Sequence, residues 1–225
     1  MTYLESILLG ALEGLTEFLP VSSTGHLILA SSVFEIAQTD AFKSFEIAIQ
    51  LGSILAVLIL FWRHFLKIPV LLRLAVAFIP TGLVGLFLYR FIKDILIGNT
   101  LLVVVALFLG GLALILVERS IKPRKEESTE EVPLTLPQSF FVGCAQAVAV
   151  IPGVSRSGAT ILGGLLMGIP RTTILTFSFL LAVPTMIMAT VYDLYKTPEA
   201  LFGTNLELLV VGFVSAFVVA LFTIR

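Results

Sequence analysis

The sequence contains one cysteine, Cys144, one tryptophan and two histidines in 225 residues, and only 13% of it is charged. A single cysteine excludes an internal disulfide and any cysteine-built metal site. The charged fraction is about half the roughly 25% of an ordinary soluble domain. No basic stripe lies on a water-facing segment, which argues against a soluble nucleic-acid reader. A basic leader region is also missing: the first apolar run already carries Glu5, Glu13 and Glu17, so no cleavable signal peptide is predicted. The net charge of -1 carries no information about partners.

What the chain has in plenty is hydrocarbon. Hydrophobic residues make up 58% of it and the mean hydropathy is +1.07. This predicts an all-α integral membrane protein, a polytopic helical bundle, of a length that suits a single membrane domain over 1–225. Spanning helices need about 20 mostly apolar residues, and five segments qualify: 45–62, 68–89, 99–117, 173–192 and 206–224. Four apolar pieces, 4–18, 24–36, 138–150 and 158–169, are too short. They form two pairs, each broken by a Pro/Gly/Ser loop, PVSSTG (20–25) and PGVSRSG (152–158). Short helices broken at membrane depth read as re-entrant hairpins, tolerated where protein or a wet cavity satisfies the backbone.

Lysine and arginine set the orientation. Arg63, Lys67, Arg119, Lys122, Arg124 and Lys125 fall on one side, and Arg90 and Lys93 on the other. The bias places the linker 119–137 in the cytoplasm, so the first hairpin enters from outside and the second from inside. The two halves, 1–118 and 138–225, then have opposite topology. Their sequences echo this, because FLPVSSTGHLIL (18–29) aligns with VIPGVSRSGATIL (150–162) with one inserted residue. Inverted repeats place a shared site at their midplane junction. The repeat also predicts one further span beyond Arg225, since the second half holds only two long spans.

The polar chemistry concentrates in the two broken loops. Glu13 and Glu17 are one turn apart and share a helix face. Two carboxylates in lipid require compensation: a divalent cation, an arginine, or a proton on one of them. Their oxygens suit Mg2+ or Ca2+. Ser22, Ser23 and Thr24 open the second short helix, where hydroxyls also serve as caps. His26 lies three residues after Ser23, and a serine beside a histidine can be a nucleophile with its base. The other loop is suited to an anion. Gly153 and Gly158 allow close backbone approach, Ser155 and Ser157 add hydroxyls, and the helix start offers N–H groups. Arg156 adds a planar fork that matches phosphate. Metal-binding carboxylates, an anion cradle and an activated hydroxyl are the parts of phosphoryl transfer, and the apolar setting points to a phosphorylated lipid. Broken helices in inverted repeats also suit a transporter, so a flippase of phosphorylated lipid is the alternative.

EGLTEFLPVSSTGH (13–26) and PGVSRSGAT (152–160), in that order, closely resemble the two signature regions of the bacterial undecaprenyl-pyrophosphate phosphatases, the bacitracin-resistance type. FEIAIQLGSILAV (45–57) and FSFLLAVP (177–184) are similar to that family too, so the resemblance covers essentially the whole chain. It implies a multi-pass enzyme of the bacterial cytoplasmic membrane with two inverted repeats. The enzyme would remove the terminal phosphate of undecaprenyl pyrophosphate, aided by a divalent cation, to regenerate the carrier lipid of cell-wall synthesis. The family's acidic pair maps onto Glu13 and Glu17, its serine–histidine region onto Ser23, Thr24 and His26, and its arginine loop onto Ser155, Arg156 and Ser157. The expected partners are the lipid substrate and the bilayer, with no nucleic acid; the site is expected to open outward, and a homodimer stays open.

Overall fold

The computed structural model describes residues 1–37, 39–91, 100–120, 134–196 and 205–225, and all regular structure in them is helical. The helices are α1 (Tyr3–Thr16), α2 (Ser23–Val33), α3 (Asp40–Phe61), α4 (Ile68–Phe91), α5 (Thr100–Ser120), α6 (Leu136–Ala147), α7 (Arg156–Leu166), α8 (Arg171–Lys196) and α9 (Leu206–Thr223). Five of them, α3, α4, α5, α8 and α9, are long and apolar enough to cross a membrane. This is a multi-pass membrane protein, and the five predicted spans are these five helices. The four short apolar pieces are α1, α2, α6 and α7. Most of the expected cytoplasmic linker, with Lys122, Arg124 and Lys125, lies outside the described residues, as does Lys93.

Local chemistry explains where the short helices start and stop. Thr2 caps α1 by accepting the N–H of Glu5, whose carboxylate in turn accepts the N–H of Thr2. Thr135 and Gln138 repeat this reciprocal box at the start of α6. At the far end, a proline cannot donate to the carbonyl four residues back, and its ring collides with that carbonyl. Pro20 does this to Thr16, the last residue of α1. Pro152 does it to Val148, and there α6 gives way to a 3-10 turn over Val148–Val150.

The described chain falls into two compact units, one of Met1–Leu19, Ser23–Trp62 and Ala182–Arg225, the other of Pro20–Ser22 and Arg63–Leu181. In the first, α1 and α3 pack on α9. Lipid tails are as apolar as leucine, so helices in a bilayer associate through close packing at small residues and through interhelical hydrogen bonds. Both are present. Gly10 faces the backbone of Gly212, and Gly14 faces that of Ala216, so the axes approach with no side chain between them. Ser6 donates to the carbonyl of Leu208 at 2.7 Å, and Ser215 donates to that of Ile7 at 2.8 Å. Phe45, fully buried, lies against Gly212 with its ring, and Leu9, Leu27, Phe42, Ile49 and Ala216 complete this core.

In the second unit α6 packs on α4, and Gly143 lies directly on the backbone of Ala77. A side chain at Gly143 has no room. Gly143→Leu should therefore destabilise the protein by about 2–3 kcal/mol, the range of an overpacked core. Thermal unfolding in detergent measures this against Gly85→Ala, where a Cβ meets no atom within 4 Å and no loss is expected.

Candidate functional site

The first motif lies on α1, the Pro20 bend and the start of α2. Glu13 is fully buried; its carboxylate oxygens make no well-formed hydrogen bond among the described residues, although Glu17 and Ser23 lie close to it. Glu17, one turn on, is the C-cap of α1 and is nearly buried. Its Oε2 accepts a 2.5 Å hydrogen bond from the hydroxyl of Ser23, the first residue of α2. Ser23 is itself buried. The Pro20 bend turns the chain back far enough to set residue 23 on residue 17. The sequence reading placed His26 beside Ser23 and did not foresee Glu17 as its partner, because nothing in a six-residue separation predicts contact. Thr24 and His26 follow on α2, both half-buried.

A third carboxylate of this unit, Glu46 on α3, has a buried Oε1 without a partner among the described residues. No group of three His, Cys, Asp or Glu side chains is placed to hold a metal ion among the described residues. Glu13 and Glu17 supply two carboxylates. The orphaned Glu13 oxygens are what a hard cation with oxygen ligands would satisfy.

Ser22 belongs to the second unit with Pro20 and Val21. It is buried and adopts φ 62°, a left-handed conformation that non-glycine residues rarely hold. Such strain persists only where the surroundings enforce it.

The second motif surrounds the start of α7. Gly153 sits at φ 93°, and a Cβ there would lie 2.6 Å from the carbonyl of Val103 on α5, so position and conformation both demand glycine. Ser155 is the N-cap: its hydroxyl accepts the N–H of Gly158 at 3.0 Å and lies 3.0 Å from the Ser157 hydroxyl. Ser157 and Gly158 are buried. A Cβ on Gly158 would come within 3.5 Å of Pro20, so the bend of the first motif lies against the first turn of α7 in this unit. Arg156 is the first residue of α7, half-buried, with Nη1 donating to the carbonyl of Ser178 at 3.3 Å. A cation at a helix N-terminus opposes the helix dipole. That placement is costly unless an anion joins it, and the N–H groups of the first turn favour the same anion.

Gln146 on α6 aligns with the neighbourhood of Glu13 on α1 when the two motifs are matched in sequence. It is buried, and its amide donates to Thr81 on α4 at 3.0 Å. The spacing is shared as well, Gly10 to Glu13 and Gly143 to Gln146.

Comparison with known proteins bears on this arrangement. The sequence profile of the family described as bacitracin resistance protein BacA matches residues 6–225. An undecaprenyl-diphosphatase of Sulfurihydrogenibium sp. is 50% identical over 225 residues, covering all of this chain and 88% of that protein. Those of Aquifex aeolicus and Campylobacter jejuni are 48% and 47% identical, again over this entire chain and 88% and 84% of theirs.

Proposed function

The chain belongs to the bacitracin resistance protein BacA family, and on that premise we propose how this undecaprenyl-diphosphatase removes the terminal phosphate of undecaprenyl diphosphate. The observation that carries the mechanism is the buried 2.5 Å hydrogen bond from Ser23 to Glu17. A hydroxyl is a weak nucleophile until a base takes its proton. Glu17 is that base, already in hydrogen-bond contact.

In the first step the Ser23 oxygen forms a bond to the terminal phosphorus and its proton passes to Glu17. The bond from that phosphorus to the bridging oxygen breaks, and undecaprenyl phosphate departs with the electron pair. Water then attacks the phosphoserine, Glu17 returns its proton to the departing Ser23 oxygen, and the water's protons leave with inorganic phosphate. His26, one turn along α2 from Ser23, delivers or accepts the proton of the leaving oxygen. Arg156 and the N–H groups of α7 bind phosphate oxygens, with the hydroxyls of Ser155 and Ser157. Ser22 and Thr24 contribute hydroxyls to the substrate. Gly153 and Gly158 keep the cradle open to it.

Glu13 and Glu17 are the residues that would hold a Mg2+ or Ca2+ ion, whose preference is for oxygen ligands. Such an ion supplies charge neutralisation on the phosphate. Chelation by EDTA should therefore abolish phosphate release, with recovery on adding Mg2+ or Ca2+. Glu13→Gln should raise the cation concentration needed for half-maximal rate by at least about tenfold, in line with the loss of one ligand. Unchanged cation dependence in Glu13→Gln would remove it from the ligand set.

Two inverted repeats remain the best reading of the architecture. In each half a capped short helix stops at a proline, a second short helix follows, and the first crosses a long helix of the other half at a glycine: α1 on α9, α6 on α4. The lysine and arginine bias supports a site that opens on the outer face of the cytoplasmic membrane.

The deciding experiment is phosphate release from a C55 diphosphate in detergent micelles, where transport has no meaning. Cation-dependent release is expected. Intact substrate would leave a lipid transporter as the reading.

A further inference from the structure

The phosphate-binding role of Arg156 depends on how its long side chain is held, and one hold comes from α8. Ser178 is fully buried on α8, and Thr160 is fully buried on α7. Their hydroxyls are 2.6 Å apart. Thr160 Oγ1 also lies 3.0 Å from the backbone carbonyl oxygens of both Arg156 and Ser157. Carbonyls only accept, and a hydroxyl has a single proton. Thr160 is placed to give its proton to one of those carbonyls, which assigns Ser178 as the donor to Thr160. The carbonyl of Ser178 itself accepts from Arg156 Nη1 at 3.3 Å.

Ser178 therefore grips Arg156 at both ends. Through its hydroxyl and Thr160 it fixes the backbone from which the side chain leaves. Through its carbonyl it fixes the guanidinium. We infer that Ser178 is a positioning residue for the phosphate-binding guanidinium, orienting the fork toward a substrate phosphate. The inference rests on the reading of Arg156 as the phosphate ligand. The bland account is that two buried hydroxyls merely satisfy each other, as buried polar groups must. That account predicts lost stability and no link to Arg156.

A double-mutant cycle separates the two, because residues that act through one another are not additive. The rates compared are kcat/KM for the C55 diphosphate in detergent with saturating Mg2+, for wild type, Ser178→Ala, Ser178→Thr, Arg156→Lys and the Ser178→Ala/Arg156→Lys pair. Ser178→Ala should lose about tenfold, the effect of one net hydrogen bond, and Ser178→Thr, which keeps the hydroxyl, should recover most of it. In the Arg156→Lys background the alanine should cost less than about twofold, since a lysine has no planar fork to orient. An equal loss in both backgrounds, or a fully active Ser178→Ala enzyme beside an impaired Arg156→Lys enzyme, would overturn the positioning role. A fully active Arg156→Lys enzyme would instead overturn the phosphate-binding reading beneath it. If Ser178→Ala does not fold, Thr160→Ser against Thr160→Val makes the same comparison, with the hydroxyl kept in one and lost in the other.

Discussion

Arg156→Ala should lower kcat/KM for the C55 diphosphate by about a thousandfold or more, the scale on which a phosphoryl-transfer enzyme depends on its arginine. The diphosphate brings several negative charges, and the proposed mechanism adds those of Glu13 and Glu17. Glu13 is fully buried, and in such surroundings charge interactions are far stronger than in water. Among the motif residues, Arg156 supplies the side-chain positive charge. Its place at the first residue of α7 lets guanidinium and backbone N–H groups act on one anion. Arg156→Lys keeps the charge but loses the bidentate fork, so it should recover only part of the rate. Activity of Arg156→Ala within tenfold of wild type would show that phosphate is held elsewhere. Unfolding temperature and substrate-free oligomeric state serve as controls, because a half-buried residue at a helix start can be removed without opening a core.

The second large effect is expected at the Glu17–Ser23 pair. Ser23→Ala should lose at least about a thousandfold in kcat, as is usual when a nucleophile that acts with its base is removed. Glu17→Gln keeps the shape and a hydrogen bond to Ser23 but removes the base, and should lose about 10²- to 10⁴-fold. The two losses should not add, because the residues form one unit. Acid quench of the wild-type enzyme with phosphorus-labelled substrate should trap a phosphoserine at position 23. A Ser23→Ala enzyme that keeps most of its turnover, with no trapped phosphoserine, would mean that water attacks the phosphorus directly and Glu17 activates that water.

Much of this site was legible in the residues. Glu13, Glu17, Ser23 and His26 stand out because polar groups are rare in a chain that is 58% hydrophobic. PGVSRSG stands out because glycine, serine and arginine at a helix start have few uses in lipid other than holding an anion. Local rules also placed the two bends: Pro20 and Pro152 stand just past the ends of α1 and α6 among glycine and serine, whereas the isolated Pro80 and Pro184 stay inside the long helices α4 and α8. The pairing of Ser23 with Glu17 was not legible. It depends on the path of the chain from Leu19 to Ser22, including the left-handed backbone of Ser22, and serine has no propensity for that conformation. Ser178 was missed for a related reason: one serine in a spanning helix normally satisfies itself on its own backbone.

The sequence by itself determined that this is a multi-pass membrane protein with, among the described residues, five helices long and apolar enough to span, that two pairs of short helices interrupt them, and which residues are the candidates for the chemistry. These follow from hydropathy, proline and glycine, whose effects act within a few residues. Only the tertiary structure decided that α1 crosses α9 at Gly10 and Gly212, that α6 crosses α4 at Gly143 and Ala77, and that Ser178 holds Arg156. In lipid one apolar helix face is as well solvated as another, so hydropathy cannot choose between partners. The choice is made by shape at a few small residues and by single hydrogen bonds between groups far apart in the chain.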